Sequence, residues 1–283
     1  MDWLEAMNNA INYMEENMTE KTDIEKIARL ALSSPFHFQR MFHMLTGVTV
    51  AEYIRRRRLT LSAQELLSGE KVIDVSLKYN YESPEAFTKA FRKLHGINPS
   101  AARETGAVLK AFSKLSFHIS VKEDKDMNYK LIEKQEFKVV GKTKRINMKD
   151  SENFDTVPKF WDECCSDGTY QKICSMAGEK GVFGICMDFS PENEAFTYMI
   201  AVEDNGINYD EFTKAEIPKA NWAVFESIGP MPGAIQDVWK RIFSEWFPAT
   251  GYQHDEAPEL EIYPVGNTSS PDYRCEVWIP IKK

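Results

Sequence analysis

Gln39, Arg40 and His43 lie in residues 34–47, and Thr88, Lys89 and Arg92 take the matching places in residues 83–96. Both stretches read S-P-x-x-F-x-x-x-F-x-x-L-x-G. At helical spacing these polar groups share one face, together with Phe36 and Glu85 three residues before the first of each set. A guanidinium pairs bidentately with guanine edges and an amide with adenine edges, while ammonium groups neutralise phosphate. The chemistry on offer is hydrogen bonding to the edges of DNA bases. A second set lies far along the chain: Glu261 and Tyr263, then Glu276 and Trp278. A carboxylate beside aromatic rings attracts a cation with a flat apolar body, through Coulomb and cation–π contact.

Helices must position the first set. Phe38, Met41, Phe42 and Leu45 cover one face of the first copy, and Phe87, Ala90, Phe91 and Leu94 cover the same face of the second. The shared letters are core letters, and the differing letters are what each helix shows outward. Ser34-Pro35 and Ser83-Pro84 open the two helices, and Gly47 and Gly96 close them. An amphipathic helix is predicted over residues 2–18, with further helices over 24–31, 50–67 and 72–79. Each copy is thus the second helix of a helix-turn-helix, the one that enters the major groove. The eighteen residues 50–67 between the units would span roughly 27 Å as a helix, against ~34 Å between major grooves on one DNA face. A rigid connector shorter than that spacing favours bent DNA. The run Arg55-Arg56-Arg57-Arg58 on this helix covers its whole circumference, so at least one arginine must turn inward and pair.

Charge is segregated in the same way. The chain of 283 residues carries net charge −8, yet residues 21–110 hold 15 Lys+Arg against 9 Asp+Glu. That basic segment suits a polyanion. With 43% hydrophobic and 28% charged residues, the composition fits two globular domains. No apolar run reaches the ~18 residues of a membrane span, and the first residues lack a signal-peptide pattern. These features predict a cytoplasmic protein without membrane contact. Cys164, Cys165, Cys174, Cys186 and Cys275 form no C-x-x-C and have no histidine pair nearby, so reduced thiols and no metal are expected.

Beyond about residue 107 the texture becomes strand-like, over 137–146, 182–189, 196–202, 222–228, 258–265 and 274–281. Helices are predicted near 157–165 and 233–247. The order is β-α-β-β twice, and Phe160-Trp161 in the first helix matches Val238-Trp239 in the second. Such a duplication predicts one curved antiparallel sheet, with helices on one face and a groove on the other. Alternation puts Glu276 and Trp278 on one side of the last strand, and the internal repeat assigns Tyr198 and Ile200 the matching places. Glu261 and Tyr263 share a side of their strand, opposite which Gly184 and Cys186 leave room.

Residues 22–103 resemble the double helix-turn-helix domain of the AraC family of transcription regulators. The resemblance rests on I-E-K-I-A-R-L-A-L-S-S-P-F-H-F-Q-R-M-F, A-E-Y-I-R-R-R-R-L and V-I-D-V-S-L-K-Y-N-Y-E-S-P-E-A-F-T-K-A-F-R-K-L-H-G-I-N-P. It implies base contacts from Phe36, Gln39 and Arg40 and from Pro84, Glu85, Thr88 and Lys89. Pro84, Glu85 and Ala86 depart from the family's habit of Gln or Arg there. Residues 128–283 resemble the gyrase-inhibitor-like effector-binding domain, through Y-K-L-I-E-K-Q-E-F-K-V-V-G and the terminal C-E-V-W-I-P-I. This second resemblance implies a pocket carboxylate at Glu276, followed by Trp278. Strand parity adds Trp161, Tyr198, Phe225, Glu261 and Tyr263 to the expected pocket.

The expected organisation is therefore multidomain. An all-α double helix-turn-helix DNA-binding domain spans residues 1–107, a linker 108–127, and an α+β effector-binding domain of duplicated β-α-β-β 128–283. The expected function is a transcription regulator sensing a small cationic or aromatic molecule, with double-stranded DNA, that effector and RNA polymerase as partners. No cofactor and no enzymatic activity are expected. A hydrolase-like enzyme using Glu276 and Glu261 as an acid–base pair is one alternative. A protein-interaction module is another, and a redox sensor at Cys164 or Cys165 is disfavoured by the neighbouring Asp162 and Glu163.

Overall fold

A computed structural model describes residues 3–104, 106–118, 126–147, 152–190, 195–206 and 210–283. The chain divides into two compact units, Met1–Ser120 and Val121–Lys283.

The first unit is helical: α1 (Trp3–Glu16), α2 (Ile24–Leu30), α3 (Pro35–Thr46), α4 (Val50–Leu67), α5 (Val72–Lys78) and α6 (Pro84–His95), then a 3₁₀ turn at Pro99–Arg103. The repeated letters make repeated local structure. The hydroxyls of Ser34 and Ser83 accept from the amides of His37 and Ala86 at 3.3 and 3.1 Å, capping α3 and α6. Gly47 and Gly96 end those helices at φ 73° and 82°, a left-handed conformation that glycine adopts at little cost. Phe38, Met41 and Phe42 of α3 and Phe87 and Phe91 of α6 are buried. Each helix-turn-helix turn also holds one non-glycine residue at positive φ, Leu32 at 52° and Asn80 at 58°.

The arginine run on α4 divides its work. Arg57 turns inward and makes a two-pronged pair with Glu15 of α1, at 2.8 and 2.7 Å. Arg58 donates to the carbonyl of Met18 at 2.7 Å and to that of Glu20, closing the end of α1. Arg55 and Arg56 both pair with Glu52. Residues 108–118, expected as part of a linker, instead lie extended along this unit. The amide of Phe112 donates to Thr60 Oγ1 and that of Phe117 to Asn8 Oδ1, at 3.1 and 2.9 Å.

The second unit is one antiparallel sheet with helices. Its elements are β1 (Tyr129–Lys134), β2 (Phe137–Asn147), α7 (Glu152–Ser166), α8 (Thr169–Met176), β3 (Val182–Ser190), β4 (Ala195–Glu203), β5 (Thr213–Ile217) and β6 (Ala220–Ile228). Next come α9 (Gly233–Arg241), a π-helical turn at Ile242–Trp246, α10 (Phe247–Thr250), β7 (Gln253–His254), β8 (Glu259–Tyr263) and β9 (Arg274–Lys282). The strand order is β1-β6-β9-β8-β3-β4-β2-β5, with β7 on β9. The duplication is present; beyond the six strands expected, the second repeat holds the two-residue β7, and each repeat opens with one further strand, β1 or β5. Those added strands cross over: β1 pairs with β6 of the second repeat, and β5 with β2 of the first. The repeats meet at β3 and β8, in the middle of the sheet.

Register fixes which side chains share a face. Leu260 pairs with Trp278 and Ile262 with Glu276, while Glu261 pairs with Val277 and Gly184. The helix-free face is not an open groove. It holds a buried apolar cluster including Trp222, Val224, Leu260, Ile262, Phe183, Met199 and Trp278.

Candidate functional sites

In the first unit the outward residues of α6 are those expected: Glu85, Lys89 and Arg92 are exposed and Thr88 is half-buried. Two of them are already engaged locally. Hydrogen bonds from its own backbone amide and from Ser83 hold the Glu85 carboxyl below its usual range. The Thr88 hydroxyl donates to the Pro84 carbonyl at 2.7 Å. Lys89, Arg92 and Lys93 are the exposed cations of this helix, and Lys89 and Arg92 share the face of Glu85 and Thr88. On α3, Gln39, Arg40 and His43 are half-buried, whereas Phe36 is buried in the first turn.

The seven residues of the second unit expected to line one pocket are separated by the sheet. Glu261 sits on the helix-bearing face of β8. Its Oε1 accepts from the Trp239 indole of α9 at 2.7 Å, and its Oε2 from the Tyr263 hydroxyl at 2.8 Å. The Trp161 indole of α7 donates to the Tyr198 hydroxyl of β4 at 3.0 Å, and its ring meets Tyr263 edge-on at 5.4 Å. Trp161 and Trp239 occupy equivalent helices of the two repeats, and each aims an N–H at the centre of the sheet. Burial, then the negative charge of Glu261, push the Tyr263 phenol well above its ordinary range, so it stays a hydrogen-bond donor. Gly184 lies in the middle of this group. A Cβ there would collide with the Tyr198 hydroxyl and stand 3.4 Å from Glu261 Oε2.

Glu276 and Trp278 lie on the opposite face. Glu276 pairs with Lys130 at 3.2 Å and accepts from the Trp278 indole at 2.8 Å. Trp278 is buried in the apolar cluster. The repeat match of Tyr198 with this pair fails because a shift of one residue exchanges the faces of a strand. Phe225 shares the Glu261 face but lies two strands away. It is fully buried against Trp246 and Tyr129, with ring centroids 5.1 and 6.0 Å away, so it belongs to the core. Trp239 was missed as a site residue, although its match with Trp161 was visible. Tyr170, with its ring 5.9 Å from Trp161, belongs to α8, a helix outside the two expected for this unit. Burial pushes the Cys164 thiol up to about 11, the wrong direction for a reactive cysteine.

Comparison with known proteins follows the same division. The profile of the Cass2 family, integron-associated effector binding protein, matches residues 130–281, and a helix-turn-helix domain profile matches residues 27–105. The Bacillus subtilis (strain 168) HTH-type transcriptional regulator YbfP is 39% identical over 104 residues, 36% of this chain and 35% of its own length. The transposon Tn10 TetD protein of Escherichia coli is 35% identical over 99 residues, 35% of this chain and 72% of its own length. A solved structure of SAV2435 bound to tetraphenylphosphonium is 23% identical, with a TM-score of 0.49, over 55% of this chain and 94% of its own.

Proposed function

Because the chain belongs to the integron-associated effector-binding family and joins that domain to an AraC-type helix-turn-helix, as a DNA-binding transcription regulator, we propose that it senses a lipophilic aromatic cation at Glu261. The observation that carries this is the setting of the carboxylate. It is held by two neutral donors, Trp239 and Tyr263, with the rings of Trp161 and Tyr198 gathered on the same face. Neutral donors orient a carboxylate without cancelling its charge. The rings add cation–π contact, open to any organic cation, and stacking contact, which favours a cation that carries aryl groups. The reading is a sensor rather than an enzyme, since Trp239, Tyr263, Trp161 and Tyr198 bring rings and positioning donors to the face of Glu261. Glu276, paired with Lys130 across the sheet, takes no part.

We place DNA reading in residues 1–107, chiefly through Gln39 and Arg40 of α3 and Lys89 and Arg92 of α6, and sensing in residues 128–283. Double-stranded DNA, an aryl cation and RNA polymerase are the proposed partners, in the cytoplasm. The chain spans about a third of the length of YbfP, so this assignment of the whole protein is our own.

Titration with tetraphenylphosphonium, followed by tryptophan fluorescence, tests the sensing site. Glu261→Gln should weaken binding by about tenfold, ~1.4 kcal/mol, while Glu276→Gln leaves it unchanged. Equal loss in both variants, or saturable binding in neither variant nor parent, would sink the assignment.

A further inference from the structure

Residues 110–117 run extended over three helices, and four of their backbone amides are bound by side chains of those helices. The amides of Lys110, Phe112, Leu115 and Phe117 donate to His95 Nδ1, Thr60 Oγ1, the Tyr53 hydroxyl and Asn8 Oδ1, at 3.1, 3.1, 3.2 and 2.9 Å. Asn8 Nδ2 donates back to the Phe117 carbonyl at 2.9 Å, and Arg57 donates to that of Phe112. Three of the four acceptors are aimed by a further bond of their own. His95 Nε2 faces the Leu59 carbonyl at 3.2 Å, the Thr60 hydroxyl donates to the Arg56 carbonyl at 2.9 Å, and that of Tyr53 donates to Glu15 at 2.5 Å. His95, Thr60 and Tyr53 are each 5% exposed or less. Buried acceptors set up in this way are a built receptor for one strand of backbone. Side chains reinforce it: Phe117 meets Trp3 edge-on at 6.2 Å, and the Arg56 guanidinium lies over Phe112 at 5.1 Å.

The anchors span both halves of the unit. His95 ends α6, the second reading helix; Thr60 and Tyr53 belong to the connector α4; Asn8 belongs to α1. α1 packs on α2, and α2 on α3, the first reading helix. We propose that residues 110–117 are a brace that fixes the separation and tilt of the two reading helices. They are thus positioning residues for DNA recognition, outside the 1–107 segment assigned to it. This rests on the reading of α3 and α6 as the DNA-contacting helices. It also places the control point for spacing on the stretch that leads directly, in sequence, to the sensing unit.

The test uses the full chain. Duplexes bound by the parent are first selected from a random pool. Affinity is then measured for the selected duplex and for versions with one base pair inserted or removed between its two halves. Two variants are compared with the parent: residues 110–117 replaced by a Gly-Ser stretch of equal length, and Asn8→Ala, which releases only one end. For the parent, the altered spacing should weaken binding by about tenfold or more, as misplacing one reader resembles losing a base contact. In the replaced chain that penalty should shrink to about threefold or less, with Asn8→Ala between them. If the replaced chain does not fold, as judged by circular dichroism, Asn8→Ala alone decides. A parent-like spacing penalty in the folded variants overturns the brace, even if their melting temperature falls. A parent that selects no sequence overturns the DNA reading, and the brace with it.

Discussion

Gly184 and Glu261 stand opposite each other in the central strand pair, and the space a side chain on Gly184 would fill is held by the Tyr198 hydroxyl beside the Glu261 carboxylate. Strand interiors disfavour glycine, so its presence here marks a close approach. Gly184→Ala should displace the Tyr198 ring and break its bond to Trp161. Affinity for tetraphenylphosphonium should fall by about tenfold, with ~1–3 kcal/mol of overpacking cost in a denaturant melt. Binding equal to the parent's would show that Tyr198 does not shape the site.

Glu15 links α1 to α4 through Arg57 and Tyr53. Burial by itself would raise its carboxyl, but the bonds from Arg57 and Tyr53 outweigh burial and hold it below its ordinary 4.5. The unfolded chain therefore protonates first as pH falls. Stability from this group is complete above the unfolded value and is lost as pH drops through the folded one. Glu15→Gln should remove ~3 kcal/mol near neutrality, because it leaves a buried guanidinium unpaired. It should also flatten the acid limb of a melting-temperature curve, and an unchanged acid limb would count against the pair.

His95 depends on proton state in a related way. Burial pulls its pKa below 6.5, and Nδ1 must be bare to accept from Lys110. The unfolded chain takes up the proton first, so stability from neutral His95 declines as pH falls below about 6.5. Nitrogen NMR should find a single neutral tautomer, with hydrogen on Nε2, at pH 7. Finding the proton on Nδ1 would contradict the anchoring of Lys110.

Arg40 and Lys89 should behave differently as readers. Arg40→Ala is expected to weaken specific binding by ~1–3 kcal/mol and to relax one base position. Lys89→Ala should weaken all duplexes alike and reduce the salt slope by ~0.9. Selections from random DNA at two salt concentrations distinguish the two outcomes.

Leu32 holds φ 52° in the first turn, where Asn80 holds 58° in the second. A left-handed leucine costs about 1–2 kcal/mol that asparagine largely avoids. Leu32→Asn should raise the urea midpoint by an amount worth ~0.5–1 kcal/mol. A lower midpoint would mean that the half-exposed side chain packs more than its conformation costs.

The first unit was legible because its signals are local. Ser-Pro, two phenylalanines four apart and a closing glycine each act within one helix, and the inward turn of Arg57 follows from the circumference of α4. The second unit was legible only in part. Alternation within β8 put Glu261 beside Tyr263, but the face of Glu276 relative to Glu261 depends on the pairing of Ile262 with Glu276. That register is set between strands and leaves no trace in either one. Residues 110–117 escaped for another reason. They are held by backbone amides, which nearly every residue possesses, so their attachment is written in His95, Thr60, Tyr53 and Asn8 instead.

The exchange of β1 and β5 between the repeats has its own consequence. Each half lends its opening ribbon to the other, so a fragment ending after β4 would keep β1 without β6 and lack the ribbon that borders β2. Two such pieces, made separately, should remain largely unstructured until mixed, then assemble by complementation. Folding of the second unit is thereby obliged to wait for contacts between distant parts of the chain, which slows it and makes it cooperative across both copies.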